Sequence, residues 1–265
     1  MINAAVLGSP IAHSLSPLLH SLAYEHLGIT AHYEAIEVKA GALEDFMSRT
    51  EKNCLSLTMP LKEEALSVAD SISEIAERVS CGNTLMLKNG SWSLTSTDVA
   101  GFDHALMMHG VKQCDSVLII GAGATARAAM ASVSKISKDI VVISRNPERM
   151  AAMNKATDKE VRYLPWERTS AINSASLVIN TTPTLVADVF APSIEKPQGV
   201  FFEVLYNPWP THLAKTWSQS GAHVIDGLDL LIHQAISQVE IFAGVTCDRD
   251  FLYRKMREAA AAKLN

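Results

Sequence analysis

A glycine-rich turn restricts the fold of this 265-residue chain more than any other segment. Residues 121–126 read Gly-Ala-Gly-Ala-Thr-Ala, after the apolar run Val117–Ile120 and before a segment of helical periodicity that reaches about Ser137. A strand, a G-x-G-x-x-A turn and a helix in this order form the phosphate-binding unit of dinucleotide-binding sheets. Main-chain N–H groups at the start of such a helix attract phosphate charge. We therefore expect a dinucleotide to contact Gly121, Ala122, Gly123, Ala124 and Thr125.

Apolar runs of strand length alternate with helical segments along most of the chain, and this alternation predicts an α/β protein. After the turn, further strands are expected at 140–144, 177–180, 200–203 and 223–225, as in a doubly wound parallel sheet. Before it, strands are expected at 4–7, 32–38, 55–58 and 84–87, the last one ending at the hairpin pair Asn89-Gly90. Two helices, 228–242 and 248–263, end the chain with no strand left to pair.

These elements predict two domains. We expect residues 1–99 to form an N-terminal α/β domain that binds the substrate and carries the catalytic groups. The C-terminal helices, residues 229–265, are expected to pack back on this domain and complete it. Residues 100–228 are expected to form a Rossmann-type, doubly wound domain that binds the dinucleotide.

The end of the second strand of this domain indicates which dinucleotide binds. Folds specific for NAD usually place an acidic residue about 20 positions after the glycine turn, where it holds the ribose 2′-hydroxyl. This chain has Ser144, Arg145 and Asn146 instead, with Arg149 at the start of the next helix. A guanidinium can pair with the 2′-phosphate of NADP or stack on adenine. The segment therefore predicts NADP, and the alternative is a pair of solvated arginines at a helix start.

Composition and charge exclude several other classes of protein. The net charge is −5 without any block of like charges, so neither nucleic acid nor an anionic membrane is an expected partner. Four scattered cysteines, with no apolar run near the roughly 20 residues of a membrane-spanning helix, are typical of a cytoplasmic protein. Nine histidines form no H-E-x-x-H pattern, so we expect no metal. Both a monomer and a homodimer fit the sequence.

Two residues before the turn are candidates for acid–base chemistry. Reduction of a carbonyl by a nicotinamide needs a proton donor for the developing alkoxide. Lys62 follows a predicted strand and opens a helix, where the helix dipole and partial burial are expected to lower its pKa. Asp98 lies where the first predicted domain passes into the second. The alternatives are a solvated Lys62 and a helix-capping Asp98.

Several segments, taken in order, resemble the shikimate dehydrogenase family over nearly the whole chain. They are 8–17 (GSPIAHSLSP), 58–62 (TMPLK), 82–84 (GNT), 96–98 (STD) and 226–234 (DGLDLLIHQ). Tyr206 also falls where this family has a tyrosine on the substrate side. The chain departs from the family at Ser56, where most members have asparagine, and at Ala124, where many have a third glycine. Alanine is tolerated there if its φ is negative.

The resemblance implies a role for each of these segments. Ser14 and Ser16 would hold a substrate carboxylate, the alternative for Ser16 being a helix cap. Lys62 would be the catalytic lysine with Asp98 beside it. The further substrate contacts that the resemblance implies are Thr58, Asn83, Tyr206 and Gln234, and the implied nicotinamide contacts are Val204 and Gly227.

The activity implied by the resemblance is the NADP-dependent interconversion of 3-dehydroshikimate and shikimate, on the route to chorismate and the aromatic amino acids. Two alternatives stay open. One is a quinate/shikimate dehydrogenase that uses NAD, and the other is a non-catalytic sensor that binds NADP and would need no pair such as Lys62 and Asp98.

Overall fold

A computed structural model describes residues 1–167 and 170–264, and the chain divides into two compact units. The first unit contains Met1–Gly101 and the chain from Ile232 onward, and the second contains Phe102–Leu231. Each unit has its own six-stranded sheet. The predicted α/β class with a Rossmann-type second domain is confirmed, as the two sheets below show. The predicted domains also assign substrate binding to residues 1–99 with 229–265 and dinucleotide binding to residues 100–228. This assignment, with its bounds, stays a prediction.

The first unit is built on a mixed sheet. Its strands lie in the order β2 (Ala31–Glu37), β1 (Ile2–Gly8), β3 (Cys54–Leu57), β5 (Thr84–Lys88), β6 (Ser91–Thr95) and β4 (Ser71–Ile72). β1 runs parallel to β2 and β3, whereas β5 runs antiparallel to β3 and β6. The carboxyl ends of β1 and β3 therefore lie side by side. The loops that follow them meet there, and the main-chain N–H of Ser9 donates to the carbonyl of Met59 at 3.0 Å.

The second unit contains a fully parallel sheet. Its strands lie in the order β12 (Val224–Ile225), β11 (Val200–Glu203), β10 (Leu177–Asn180), β7 (Cys114–Ile120), β8 (Ser137–Ile143) and β9 (Val161–Leu164). Counted from β7, this is the doubly wound order 3-2-1-4-5-6. In such a sheet the order reverses between the first and fourth strands, here β7 and β10, and ligands bind at the carboxyl ends of the strands beside that point.

Eleven α-helices occur among the described residues. In chain order they are α1 (Ser16–His26), α2 (Leu43–Arg49), α3 (Leu61–Val68), α4 (Glu74–Arg78), α5 (Asp98–Met108), α6 (Ala124–Val133), α7 (Met150–Lys155), α8 (Ala171–Ser174), α9 (His212–Gln219), α10 (Gly227–Ala243) and α11 (Arg249–Leu264). Short 3₁₀ segments add Pro147–Arg149 and Val186–Ser193. The two boundaries between the units fall inside α5 and α10.

The C-terminal helices pack on the first unit, as predicted. The ring of Phe251 in α11 stacks on that of His26 in α1, with 4.3 Å between ring centroids. Side chains of α10 reach the sheet, where Gln238 is hydrogen-bonded to Ser56 of β3. Val239 of α10 and Met256 of α11 are fully buried, so these helices contribute to the core of the unit.

The predicted hairpin at Asn89-Gly90 is confirmed. It joins β5 to β6, and both residues have positive φ, +53° and +80°. Positive φ at both central residues is what a type I′ turn requires. The sequence did not predict β4 or β9.

The described part of the chain contains neither a candidate membrane-spanning helix nor a candidate metal cluster. No helix among those residues combines the length and the apolar character needed to cross a membrane. No group of three or more histidine, cysteine, aspartate or glutamate side chains in the same ranges could hold a metal ion.

Candidate active site

A buried ion pair lies at the centre of the candidate site in the first unit. Lys62 is the second residue of α3 and Asp98 is the first residue of α5. The Lys62 Nζ donates to Asp98 Oδ2 at 2.6 Å, and the two side chains are only 16% and 5% exposed. A solvated lysine is therefore the wrong reading of Lys62. A buried charge pair is costly to desolvate and adds little net stability, which makes a functional role for it a reasonable hypothesis.

The predicted lowering of the Lys62 pKa is wrong. Burial of the ammonium acts in the expected direction, but the charge of Asp98 and its hydrogen bond act against it and hold the pKa of Lys62 above its usual value. The sequence predicted partial burial of Lys62, but it could not predict how closely the Asp98 carboxylate approaches the Lys62 ammonium. Lys62 is thus a charged ammonium at neutral pH.

Asn83 joins the ion pair to α10. Its amide Nδ2 donates to Asp98 Oδ1 at 2.9 Å and to Gln234 Oε1 at 3.2 Å. Its Oδ1 accepts from the main-chain N–H of Thr97 and from the hydroxyl of Thr84, both at 2.8 Å. Because both ends of this buried amide are occupied, its orientation is determined. The structure therefore brings together four predicted residues from four separate segments, namely Lys62, Asn83, Asp98 and Gln234.

The remaining predicted residues of the first unit follow the carboxyl ends of β1 and β3. Thr58 packs so closely on Gly8 that a Cβ on this glycine would lie 2.4 Å from the Thr58 methyl group. Ser14 Oγ accepts from the main-chain N–H of Ser16 at 3.3 Å. In the described part of the chain, neither serine nor Thr58 is hydrogen-bonded to Lys62.

The alternative reading of Ser16 as a helix cap is wrong. Ser16 is the first residue of α1, and the cap position is occupied by Leu15, which makes no side-chain cap hydrogen bond. The Ser16 hydroxyl is therefore not used to stabilise the helix end. Ser16 is also buried, at 7% exposure, although it lies next to an exposed loop.

The glycine turn of the second unit has the geometry that a diphosphate requires. Gly121 has a φ of +113°, and a Cβ there would lie 2.4 Å from the hydroxyl of Thr181. Both facts exclude a side chain at this position. Gly123 precedes α6, which no side chain caps. Ala124 is the first residue of α6 and has negative φ, so the departure from glycine is accommodated.

The predicted 2′-phosphate segment lies close to this turn. A Cβ on Gly123 would lie 3.7 Å from Nη1 of Arg149, so this guanidinium covers the turn. Arg145 is exposed, with its guanidinium 5.2 Å from the centre of the Trp166 ring. Ser144 Oγ accepts from the N–H of Asn146 at 3.2 Å. Arg149 thus lies beside the glycine turn, whereas the contact of Arg145 is with Trp166.

The predicted nicotinamide contacts lie next to each other. A Cβ on Gly227 would lie 2.1 Å from the carbonyl oxygen of Val204, so only glycine allows this approach. The Gly227 N–H donates to the carbonyl of Leu205 at 3.3 Å. Tyr206 follows in the same loop of the second unit, where burial raises the pKa of its phenol.

Sequence reasoning missed Thr181 and Thr182. They follow β10, beside the point where the strand order reverses, and Thr181 Oγ1 donates to the carbonyl of Ile120 at 2.9 Å. Thr182 Oγ1 donates to Asn180 Oδ1 at 2.8 Å. The run Asn-Thr-Thr immediately after an apolar strand was the available signal, since polar residues at the carboxyl end of a parallel strand are placed at the ligand site.

A buried carboxyl group supports the neighbouring strand end. Glu203, the last residue of β11, is fully buried and accepts hydrogen bonds from Asn180 Nδ2 at 3.0 Å and Thr211 Oγ1 at 2.9 Å. Burial raises the pKa of Glu203 to about 7, while the hydrogen bonds from Asn180, Thr211 and the N–H of Leu205 keep it from rising further.

Replacing Glu203 by glutamine should remove one pH-dependent contribution to stability. The folded pKa of about 7 lies above the ordinary value of 4.5, so between these values only the unfolded chain releases the proton. The contribution of Glu203 to the free energy of unfolding is therefore complete below pH 4.5 and is lost as the pH rises to about 7. Relative to Glu203→Gln, the wild-type protein should lose on the order of 3 kcal/mol over this range. Urea unfolding of both proteins at the two pH values measures the difference, and identical pH dependence would contradict it.

Comparison with protein-family profiles gives two matches. Residues 6–85 match the shikimate dehydrogenase substrate binding domain, and residues 104–188 match the family described as shikimate / quinate 5-dehydrogenase. The first match contains Lys62 of the ion pair, and the second contains the glycine turn. They fall in the first and second units respectively.

Individual relatives match over almost the full chain. A shikimate dehydrogenase (NADP(+)) from Methanothrix thermoacetophila is 36% identical over 98% of each chain. The crystal structure of Mycobacterium tuberculosis shikimate dehydrogenase superposes with a TM-score of 0.87 at 34% identity, covering 98% of this chain and 100% of that one. That of the Thermus thermophilus enzyme in complex with NADP(H) and shikimate gives a TM-score of 0.86 at 29% identity, with the same coverage. The chain therefore belongs to the shikimate dehydrogenase family.

Proposed function

We propose that this protein is an NADP-dependent shikimate dehydrogenase, which interconverts 3-dehydroshikimate and shikimate. The observation that carries the proposal is the buried pair of Lys62 and Asp98, at 2.6 Å, together with Asn83 and Gln234. Reduction of a ketone needs a proton donor, and the ring hydroxyls next to it need hydrogen-bonding groups such as a carboxylate and two amides. The names of the relatives, shikimate dehydrogenase (NADP(+)), agree with this chemistry.

The second unit has the groups that a dinucleotide diphosphate requires. Gly121 and Gly123 leave the turn bare, no side chain caps α6, and the guanidinium of Arg149 lies over the turn. Main-chain N–H groups with a nearby cation form an anion site. We assign the 2′-phosphate of NADP to Arg145 and the nicotinamide to the main chain at Val204 and Gly227. When bound, NADPH supplies the hydride.

In the first unit, Lys62 gives a proton to the carbonyl oxygen of 3-dehydroshikimate, and in the reverse direction it takes the proton from the hydroxyl of shikimate. Asp98 holds the ammonium in place through Oδ2. Its other oxygen is held by Asn83, so the carboxylate cannot rotate away. Correct positioning of a proton donor is a large part of its catalytic effect.

The substrate carboxylate is assigned to Ser14 and Ser16. Neutral hydroxyl donors can bind an anion when main-chain N–H groups assist them. Ser16 does not occupy the cap position of α1, which is consistent with this role. Thr58 borders the same loops, and Tyr206 is assigned to the substrate from the second unit.

Steady-state oxidation of shikimate and of quinate, each with NADP and with NAD, tests this function. We expect turnover of shikimate with NADP to exceed that of the other three combinations. A preference for quinate with NAD would favour the alternative of a quinate/shikimate dehydrogenase that uses NAD, and the family name shikimate / quinate 5-dehydrogenase includes both substrates. No turnover with any pair would favour a binding protein without catalysis.

Replacing Arg145 by alanine should weaken NADP binding selectively. A hydrogen bond to a charged group contributes about 1.5–3 kcal/mol, so the KM for NADP should rise roughly tenfold to a hundredfold while that for NAD changes little. Arg162→Ala is a matched control, because this exposed arginine of the same unit pairs with Asp139 instead. Equal increases for NADP and NAD would exclude the 2′-phosphate role of Arg145.

A further inference from the structure

A buried carboxylate in the second unit has no part in the chemistry assigned above. Glu203 is the last residue of β11 and is fully buried. Its Oε1 accepts from Asn180 Nδ2 at 3.0 Å and from the main-chain N–H of Leu205 at 3.3 Å. Its Oε2 accepts from the same Nδ2 at 3.0 Å and from the hydroxyl of Thr211 at 2.9 Å. Each of these contacts is with a hydrogen-bond donor.

The direction of these hydrogen bonds is determined by the surroundings of Glu203. Asn180 Oδ1 accepts from the main-chain N–H of Thr182 at 3.1 Å, and a main-chain N–H can only donate. The amide nitrogen of Asn180 therefore faces Glu203. The hydroxyl of Thr211 accepts from the N–H of Ala214 at 3.1 Å, so its single proton is left for Glu203. An ionised carboxylate suits such donors because it only accepts.

This carboxylate is costly to ionise. Burial raises the pKa of Glu203 to about 7, because the charged form is hard to desolvate. A glutamine has nearly the same shape and would avoid this cost. It would, however, replace one acceptor oxygen by an NH2 group, a donor that would face other donors. The chain thus keeps a group that is costly to ionise, and such groups are frequent at functional sites.

One partner of Glu203 belongs to the main chain assigned to the nicotinamide. The N–H of Leu205 and the carbonyl of Val204 are parts of the same planar peptide unit, so holding the N–H fixes the direction of the carbonyl. This carbonyl is the group that only a glycine at position 227 can approach. The carbonyl of Leu205 in turn accepts from the N–H of Gly227 at 3.3 Å. The Glu203 side chain therefore holds the peptide unit that borders Gly227.

We propose that Glu203 is a positioning residue for the nicotinamide of NADP: by accepting from the Leu205 N–H, its carboxylate fixes the direction of the Val204 carbonyl. Because the nicotinamide is assigned to this carbonyl only in the function proposed above, this role of Glu203 rests on that function. Asn180 at the end of β10 and Thr211 at the cap of α9 hold the carboxylate in place. A binding group that is fixed before the ligand arrives lowers the entropy cost of binding.

Replacing Glu203 by glutamine tests the proposal through ligand binding. Above pH 7, where the wild-type carboxylate is ionised, calorimetric titration measures the Kd for NADP and for adenosine 2′,5′-bisphosphate, which carries the 2′-phosphate but no nicotinamide. We expect the Kd for NADP to rise about threefold to tenfold, the range for loss of one hydrogen bond, and that for the bisphosphate to stay unchanged. Glu195→Gln, at an exposed glutamate of the same unit, is the matched control and should change neither Kd.

Kinetics with both dinucleotides separates this role from that of Arg145. Glu203→Gln should raise the KM for NADP and for NAD by the same factor, because both carry the nicotinamide. Arg145→Ala should affect NADP alone. Equal weakening of NADP and the bisphosphate by Glu203→Gln would show a general loss of structure and would overturn the proposal.

A second variant provides the test if Glu203→Gln does not fold. Thr211→Val removes one of the donors that hold the carboxylate, so it should raise the Kd for NADP and leave that for the bisphosphate unchanged. If the wild-type protein binds neither NADP nor NAD, the proposed function fails. If it binds NADP and the folded variant has the wild-type Kd, only this role of Glu203 fails.

Discussion

Replacing Lys62 by alanine should lower kcat for shikimate oxidation by roughly 10²- to 10⁴-fold, the range of general acid–base catalysis, with little change in KM. The reason is the position of its ammonium, which is buried and held by Asp98 at 2.6 Å. The proton moves in the transition state, so loss of its donor affects the rate more than substrate binding. Steady-state kinetics in both directions measures the effect.

Two further variants make this result interpretable. Both Lys62→Ala and Lys62→Met leave the Asp98 carboxylate buried without its partner, which is destabilising. Lys62→Met fills the space of the lysine side chain, so comparing the two variants separates loss of the ammonium from the effect of a cavity. Lys88→Ala is the control, because Lys88 is exposed at the end of β5 in the same unit. A folded Lys62 variant with wild-type kcat would show that another group transfers the proton.

Replacing Asp98 by asparagine should reduce kcat by about 10²-fold and shift the pH dependence of the reaction. In the wild type, burial acts to lower the Lys62 pKa and Asp98 more than compensates. Without the carboxylate, burial is unopposed, so the pKa of Lys62 falls below its wild-type value. Oxidation of shikimate needs the neutral amine, so its rate rises with pH up to this pKa. The plateau of kcat should therefore be reached at lower pH in the variant.

The matched control is Asp103→Asn. Asp103 lies in the same helix, α5, and pairs with Lys135 at 2.7 Å, but its side chain is 39% exposed, against 5% for that of Asp98. Its loss should leave the pH profile unchanged. A profile of Asp98→Asn that coincides with the wild-type one, or moves to higher pH, would contradict the assigned interaction between Asp98 and Lys62.

The fold could be predicted from the sequence wherever a strand is buried on both faces. β10 and β11 have the predicted bounds because a continuous apolar run marks such a strand. The two strands that were missed lie at the ends of their sheets. β4 has only two residues, and β9 includes the exposed Arg162 and no fully buried side chain, so neither carries an apolar run.

The candidate site was predictable as a set of residues but not as an arrangement. The resemblance placed Lys62 beside Asp98, yet the direction of the Lys62 pKa depended on a contact distance that no motif contains. The hydrogen bond between Ser56 and Gln238 was missed for a different reason. Ser56 and Gln238 are 182 positions apart and belong to no shared motif, so only the folded structure brings them together.

A crystal structure of the protein with NADP and shikimate bound would test the central claim most directly. We expect Lys62 Nζ to lie about 2.6–3.2 Å from the ring hydroxyl that becomes the ketone, the separation at which a proton can pass. We also expect Asp98 to keep its contact with Lys62. A substrate bound with this hydroxyl away from Lys62, and with another side chain at that distance, would contradict it.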